Sequence, residues 1–143
     1  MAGMPARRRL VLVVIARDEA PRIGRLLASV SPFVDGMLVL DTGSTDDTPA
    51  IAAAAGARVE HFVWCDDFAA ARNRALDLAA ADWHLVLDAD EWLIAGGDVL
   101  QSVREQAPDF VASLQLRDRF EGGEVSTAEP AAAGPRALCR PRA

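Results

Sequence analysis

The sequence has 143 residues, enough for one compact domain and little more. Hydrophobic residues make up 51% of it, which supports a buried core and excludes wholesale disorder. The net charge of -6 is the wrong balance for a general nucleic-acid binder, and all 15 basic residues are arginine, so any mechanism that needs a lysine is excluded.

The first element is the run Leu10–Ala16, preceded by Arg7, Arg8 and Arg9. Charge followed by apolarity is shared with leader peptides, but this run is short and stops at Arg17-Asp18-Glu19 without a cleavage segment. Unbroken Leu, Val and Ile fit a parallel strand covered on both faces. A helix is expected over residues 21–30, with Pro21 in the first turn and Ile23, Leu26, Leu27 and Val30 on one face. Residues 37–40 form a second strand, and Thr48-Pro49 opens a helix that Gly56 stops. A third strand covers residues 58–63. Asp66 or Asp67 then caps a helix that runs to about residue 80. Residues 83–87 form a fourth strand, followed by a helix over 99–106 and a strand over 110–116. Beyond residue 120 the pattern dissolves into turn-forming residues.

Strands alternating with helices through short links predict an α/β fold: a mostly parallel sheet flanked by helices on both faces. Such sheets bind ligands at the carboxyl ends of their strands. Three acidic groups, Asp18-Glu19, Asp41 and Asp88-Ala89-Asp90, each follow a predicted strand directly. They are therefore expected to gather along one edge. Carboxylates gathered in this way repel one another unless a cation sits among them. Asp88 and Asp90 offer two hard oxygen donors, which suits Mg²⁺ or Mn²⁺ completed by substrate phosphate. Cys65 and Cys139 match neither a metal spacing nor a disulfide framework. No run approaches the roughly 20 apolar residues of a membrane span. The expectation is a soluble, cytoplasmic protein with no transmembrane segment.

The stretch from Arg17 to Trp92 resembles the family 2 glycosyltransferases, of bacterial type, in the order and spacing of four motifs. Asp18-Glu19 and the helix after it look like the family's first-strand Asn-Glu and following helix. Asp41-Thr42-Gly43-Ser44-Thr45-Asp46-Asp47-Thr48 is similar to its second-strand signature. The run from Asp67 to Leu76, with Ala71-Arg72-Asn73, resembles its Ala-Arg-Asn helix, and Trp83 to Glu91 its strand ending in Asp-Ala-Asp-Glu.

The resemblance implies a Rossmann-like GT-A domain over residues 1–120, binding a nucleotide-diphosphate sugar that is expected to be UDP-linked. It implies a metal-dependent and inverting transfer to an acceptor that is a glycolipid, a glycan or a peptide. Asp41 would meet the nucleotide base with Glu19 lining the same pocket, and Arg72 would sit beside the base or the diphosphate. Asp88 would meet the ribose and share the metal site with Asp90, the principal ligand. Asp18 stands where the family has asparagine and cannot donate a hydrogen bond through its carboxylate. Residues 121–143 read as an irregular tail, the start of an incomplete acceptor side. Glu121, Glu124 and Glu129 match no family motif, so the general base is not identified.

Milder readings apply to several of these residues. Arg72 could pair on the surface with Asp67 or Asp77, and Asp46, Asp47 and Thr48 read as helix-entry residues. Trp64, Trp83 and Trp92 read as core, with Trp92 the best candidate for stacking on a sugar. A haloacid-dehalogenase-like phosphatase shares the strand-end Asp88-Ala89-Asp90, but places it on its first strand and needs a lysine. A nucleotidyltransferase needs a glycine-rich basic loop where this chain has Arg17-Asp18-Glu19-Ala20. A truncated domain that binds a nucleotide sugar without transferring it is the remaining reading.

Overall fold

The computed structural model describes residues 8–112, 114, 118–119 and 125–126. In chain order come β1 (Leu10–Ala16), α1 (Ala20–Val30), a 3-10 turn (Ser31–Phe33), β2 (Gly36–Asp41), α2 (Thr48–Ala54), β3 (Arg58–His61), α3 (Phe68–Ala79), β4 (Trp83–Val86) and α4 (Gly97–Arg104). The four strands form one sheet in the order β3-β2-β1-β4, and every pairing is parallel. Two short strands, β5 (Asp118–Arg119) and β6 (Val125–Ser126), pair antiparallel in a separate ribbon.

Side chains alternate across a strand, so each strand feeds two cores. Leu10, Leu12, Val14 and Ala16 of β1 join Met37, Val39, Trp83 and Leu85 on one face. There they meet Ile23, Leu26, Leu27 and Val30 of α1, Ala52 of α2 and Leu100 of α4. Val11 and Val13 join Leu38 and Leu40 on the other face, against Ala71, Ala75 and Ala79 of α3. The alanines recur every fourth residue and let α3 lie close to the sheet. Each fully buried Leu, Ile or Val contributes about 1.5–3 kcal/mol of transfer free energy.

Three expectations are corrected. The strand predicted over 58–63 ends at His61: Phe62 N–H still bonds Asp41 C=O at 2.8 Å, but Val63 is 90% exposed. Thr48 is the first residue of α2 and not its cap, because Asp46 accepts its N–H at 2.9 Å. The strand predicted over 110–116 is absent at residues 110–112 and 114. Its alternating apolar residues Phe110, Ala112 and Leu114 pack against the first core instead. Phe110 meets Trp83 edge-on at 5.0 Å, and the Trp83 indole N–H bonds Gln106 C=O at 3.1 Å. Period-two apolarity is satisfied by covering a core as well as by joining a sheet.

Gly97 opens α4 against Phe33, and a Cβ there would lie 2.3 Å from the phenyl ring. Gly97→Ala is expected to cost about 1–3 kcal/mol, the range for overpacking, measurable as a lower urea midpoint with an unchanged slope.

Candidate functional site at the carboxyl ends of β1, β2 and β4

From β1 the chain moves outward to β2 and β3, and then α3 crosses the opposite face and returns it to β4 on the other side of β1. The order reverses at β1. The crevice outside the carboxyl ends of β1 and β4 is therefore the switch point at which open α/β sheets bind ligands. Asp18 and Glu19 follow β1, Asp41 ends β2, and Asp88 to Glu91 follow β4. At about 4.8 Å per strand spacing, these three ends span roughly 10 Å. Arg72 lies in the second turn of α3, whose start is fixed by the Asp67 carboxylate accepting Ala70 N–H at 3.1 Å. The Arg72 guanidinium is 5.4 Å from the Phe68 ring centre.

Asp41 is only 3% exposed. Its carboxylate accepts Gly43 N–H at 3.2 Å, Ser44 N–H at 3.1 Å and the Ser44 hydroxyl at 2.5 Å. This is an Asx-type turn, which Gly43 permits with φ +117°. His61, beside Asp41 in the β2–β3 register, places Nδ1 3.6 Å from the same carboxylate.

The loop after β1 is stitched to the loop after β2. Asp18 N–H donates to Ser44 Oγ at 2.9 Å, while Asp18 Oδ1 accepts Thr45 N–H at 2.7 Å and Asp46 N–H at 3.3 Å. Asp46 accepts Ala20 N–H at 3.2 Å as well as the Thr48 N–H and hydroxyl, and Thr48 Oγ1 accepts Glu19 N–H at 2.9 Å. The Thr48 hydroxyl holds the Asp46 carboxyl below its usual range. That contribution to the loop is complete at neutral pH and is lost on acidification through the lowered value.

The aspartate in place of the family's asparagine is explained by these contacts. Asp18 has φ +53°, a conformation both residues tolerate, and its backbone-directed bonds all fall on one oxygen, which an amide also supplies. Asp18→Asn should therefore stay within about 0.5 kcal/mol of the parent, while Asp18→Ala should cost about 0.5–2 kcal/mol, the range for losing a side chain that caps exposed backbone donors. Thermal melts of both variants check this. The hydroxyls of Ser44 and Thr48 were not picked out as stitches by sequence reasoning. Their position beside Asp41 and Asp46 was the available signal.

Across the switch point, Glu19 accepts Arg22 Nε at 2.6 Å. Arg22 is held above its usual value first by this bond and the Glu19 charge, with a further contribution from Asp90. One guanidinium thus feels acids from the ends of both β1 and β4. In the turn after β4, Asp88 N–H bonds the Glu91 carboxylate at 2.8 Å and Glu91 N–H bonds Asp88 C=O at 3.0 Å. Asp88 is half-buried and Asp90 is exposed. Trp83 is core, as expected, and Trp64 is 38% exposed with its N–H on Asp66. Trp92 lies under Arg25, whose guanidinium is 3.6 Å from the ring centre, so one face of the indole is already covered.

Among the described residues, no three His, Cys, Asp or Glu side chains gather as a ready-made metal cage. Asp88 and Asp90 supply two oxygen donors, which is what a Mg²⁺-type ion completed by substrate phosphates uses.

This parallel sheet with its helices is the Rossmann-like GT-A architecture of nucleotide-sugar enzymes. Residues 11–128 match glycosyl transferase family 2, and the chain belongs to that family. A TPR repeat-containing protein of Synechococcus elongatus is 51% identical over 115 residues, covering 80% of this chain and 28% of that protein. A glucosyl-3-phosphoglycerate synthase of Mycolicibacterium paratuberculosis is 52% identical over 58 residues, or 38% of this chain and 18% of the relative. The Mycobacterium tuberculosis glucosyl-3-phosphoglycerate synthase solved with UDP superposes with a TM-score of 0.55 at 34% identity, over 62% of this chain and 35% of that one. The same enzyme solved with Mn²⁺, UDP-glucose and phosphoglyceric acid gives 0.53 at 33% identity, over 59% and 34%. The chain thus spans less than a third of these two curated relatives. No helix among the described residues is long and apolar enough to cross a membrane.

Proposed function

We propose that this chain is the donor-binding part of a metal-dependent glycosyltransferase. It takes a UDP-linked sugar and serves transfer, with inversion, to a glycolipid, glycan or peptide in the cytoplasm. The observation that carries the reading is the convergence of Asp18-Glu19, Asp41 and Asp88-Asp90 on the switch-point edge of one parallel sheet. The Mn²⁺ and UDP-glucose of the M. tuberculosis enzyme's complexes support the choice of ligand. Residues 1–120 form the donor domain, and residues 121–143 begin the acceptor side.

In this reading Asp90 and Asp88 hold Mg²⁺ or Mn²⁺ together with the diphosphate oxygens. The ion supplies Lewis-acid stabilisation of the departing diphosphate. The chain's own residues bind and orient the donor. Asp41 and Glu19 line the base pocket, and Asp18 keeps its wall in place through Thr45 and Asp46. Arg72 presents a fixed positive fork toward the nucleotide. Arg22, already between Glu19 and Asp90 in charge, offsets the acids that would otherwise repel a diphosphate.

Calorimetric titration of UDP, UDP-glucose and other nucleotide sugars, with Mn²⁺ and with EDTA, tests the reading. Metal-dependent binding of a UDP-sugar is the expected outcome. Binding without transfer to any acceptor identifies a non-catalytic donor module. Release of phosphate from simple phosphoesters without nucleotide binding would instead favour a phosphatase. The acids Glu121, Glu124 and Glu129 lie outside the described residues.

A further inference from the structure

The row of α3 that faces the sheet is Ala71, Ala75 and Ala79, all buried against β1 and β2. Phe68 precedes that row at helical spacing, one turn before Ala71 and two before Ala75, so it stands on the same face of the helix. Yet Phe68 is 54% exposed. Its position along the helix axis accounts for this. α3 runs from the carboxyl edge of the sheet, where β3 ends, back to the amino edge, where β4 starts. Its first turn is therefore the part that overhangs the strand ends. The alanines hold α3 close to the strands, and the phenyl ring projects past them at the edge that carries the acids.

The ring is held in place although it is open to water. Trp64 meets it edge-on, with ring centres 6.3 Å apart and planes at 69°. The Trp64 indole N–H donates in turn to the Asp66 carboxylate at 3.0 Å, and Asp66 has φ +57°, a left-handed conformation that aspartate tolerates. Arg72, one turn further along α3, brings its guanidinium to 5.4 Å from the ring centre. Ile15 and Phe62 are partly buried against the core on this same face of the sheet. Asp41 alternates with Leu40 and so belongs to the opposite face, with Met37 and Val39. The carboxyl edge thus carries a hydrogen-bonding acid on one side and a fixed aromatic face on the other.

We propose that Phe68 is the stacking platform for the nucleobase of the donor, a binding residue additional to Asp41 and Glu19. The proposal rests on the donor-site reading above. The strand order β3-β2-β1-β4 decides between base and sugar as the occupant. With the diphosphate at Asp88 and Asp90 after β4, the sugar lies at that end of the edge. The loop from β3 into α3 lies at the other end, beside Asp41. A base is flat, so it can offer its rim to Asp41 and one face to the phenyl ring. Stacking is tolerant of base identity, so Phe68 supplies affinity while the hydrogen-bonding rim supplies selectivity.

The test compares affinity for UDP with affinity for ribose 5-diphosphate, which is UDP without its base, both in Mn²⁺, for the parent, Phe68→Ala, Phe68→Leu and Phe68→Tyr. The ratio of the two affinities isolates the contribution of the base. Phe68→Ala should lower that ratio about fivefold to 100-fold, the size of a lost base–aromatic stack, with ribose 5-diphosphate affinity unchanged. Phe68→Leu keeps apolar bulk but loses the flat face, and its ratio should fall as well. Phe68→Tyr keeps the ring and should retain the ratio. Phe68 is exposed, so the variants are expected to melt with the parent. For a variant that melts early, binding is read well below its midpoint. A parent that binds neither ligand sinks the donor-site reading and the platform with it. A parent that prefers UDP, with an unchanged ratio in Phe68→Ala, overturns the platform alone. Equal weakening of both ligands also overturns it, because a base platform cannot act on a ligand that has no base. A ratio retained in Phe68→Leu overturns it too, since bulk and not the aromatic face would then be what matters.

Discussion

Asp90→Asn should lower Mn²⁺-dependent affinity for a UDP-sugar by about 100-fold or more while leaving binding in EDTA nearly unchanged. The substitution keeps the side-chain shape and removes the charge that a hard divalent cation needs. In the proposed reading Asp88 and Asp90 are the ion's two protein carboxylates, so removing one takes away half of the protein's anionic share. Loss of even a supporting partner of a ligand already costs about 10–100-fold in metal affinity. Asp90 is exposed, so the variant should fold and melt like the parent.

A second consequence follows from Arg22. With the Asp90 charge gone, Arg22 keeps its hydrogen bond and charge partner Glu19. In the proposed reading it remains a cation beside the diphosphate, which is why the metal-free component should survive. Titration of UDP into both proteins, with Mn²⁺ and with chelator, separates the two components. Unchanged Mn²⁺ dependence in Asp90→Asn would remove Asp90 from the metal site. Metal without nucleotide should bind weakly to the parent, because no third protein ligand completes the ion's shell among the described residues.

The strands of this fold were legible because a parallel strand covered on both faces leaves an unbroken apolar run. Leu10–Ala16 was bounded to the residue for that reason. The acids at the strand ends were legible by the same logic, since each stops an apolar run that the sheet needs. Their shared edge follows from parallel pairing alone, without any knowledge of strand order. Other features were hidden. The alternation of Phe110, Ala112 and Leu114 reads as a strand but serves as a lid on the Trp83 side of the core. Trp92 reads as core and, of the three tryptophans, as the best stacking candidate, because nothing local tells that Arg25, 67 residues earlier, lies over it. Asp18 reads as a ligand-facing acid, yet its carboxylate binds Thr45 and Asp46 of the next loop. Local pattern identifies which residues reach the edge. Which of them turn to each other is decided by contacts between distant segments.

Arg104→Ala should destabilise the domain by about 3–5 kcal/mol, the combined cost of an unmet buried carbonyl and of the volume left by a buried side chain. Arg104 is 2% exposed in the last turn of α4. Its guanidinium donates to Arg8 C=O at 2.6 Å and 3.2 Å, to the Gln101 side chain at 3.4 Å and to the Asp35 carboxylate. Asp35 in turn accepts Leu10 N–H at 2.9 Å and donates its own N–H to Leu10 C=O at 2.8 Å. The cluster therefore clamps α4 and the segment before β2 onto the first residue of the central strand. For a chain of 143 residues each kcal/mol shifts the midpoint by about 3 °C, so a drop of at least roughly 9 °C is expected. Asp35 is the more exposed partner, at 31% of its side chain, and water can solvate it once Arg104 is gone. The loss should accordingly come mainly from the unmet Arg8 carbonyl and the emptied volume. Arg104→Met, which refills most of that volume, should recover part of it. The cluster lies at the amino ends of the strands, opposite the acids. UDP affinity measured well below the midpoint should then match the parent in both variants. A loss under about 1 kcal/mol would show that the pair is solvated in solution, and a changed UDP affinity at full folding would show that the two ends of the sheet are coupled.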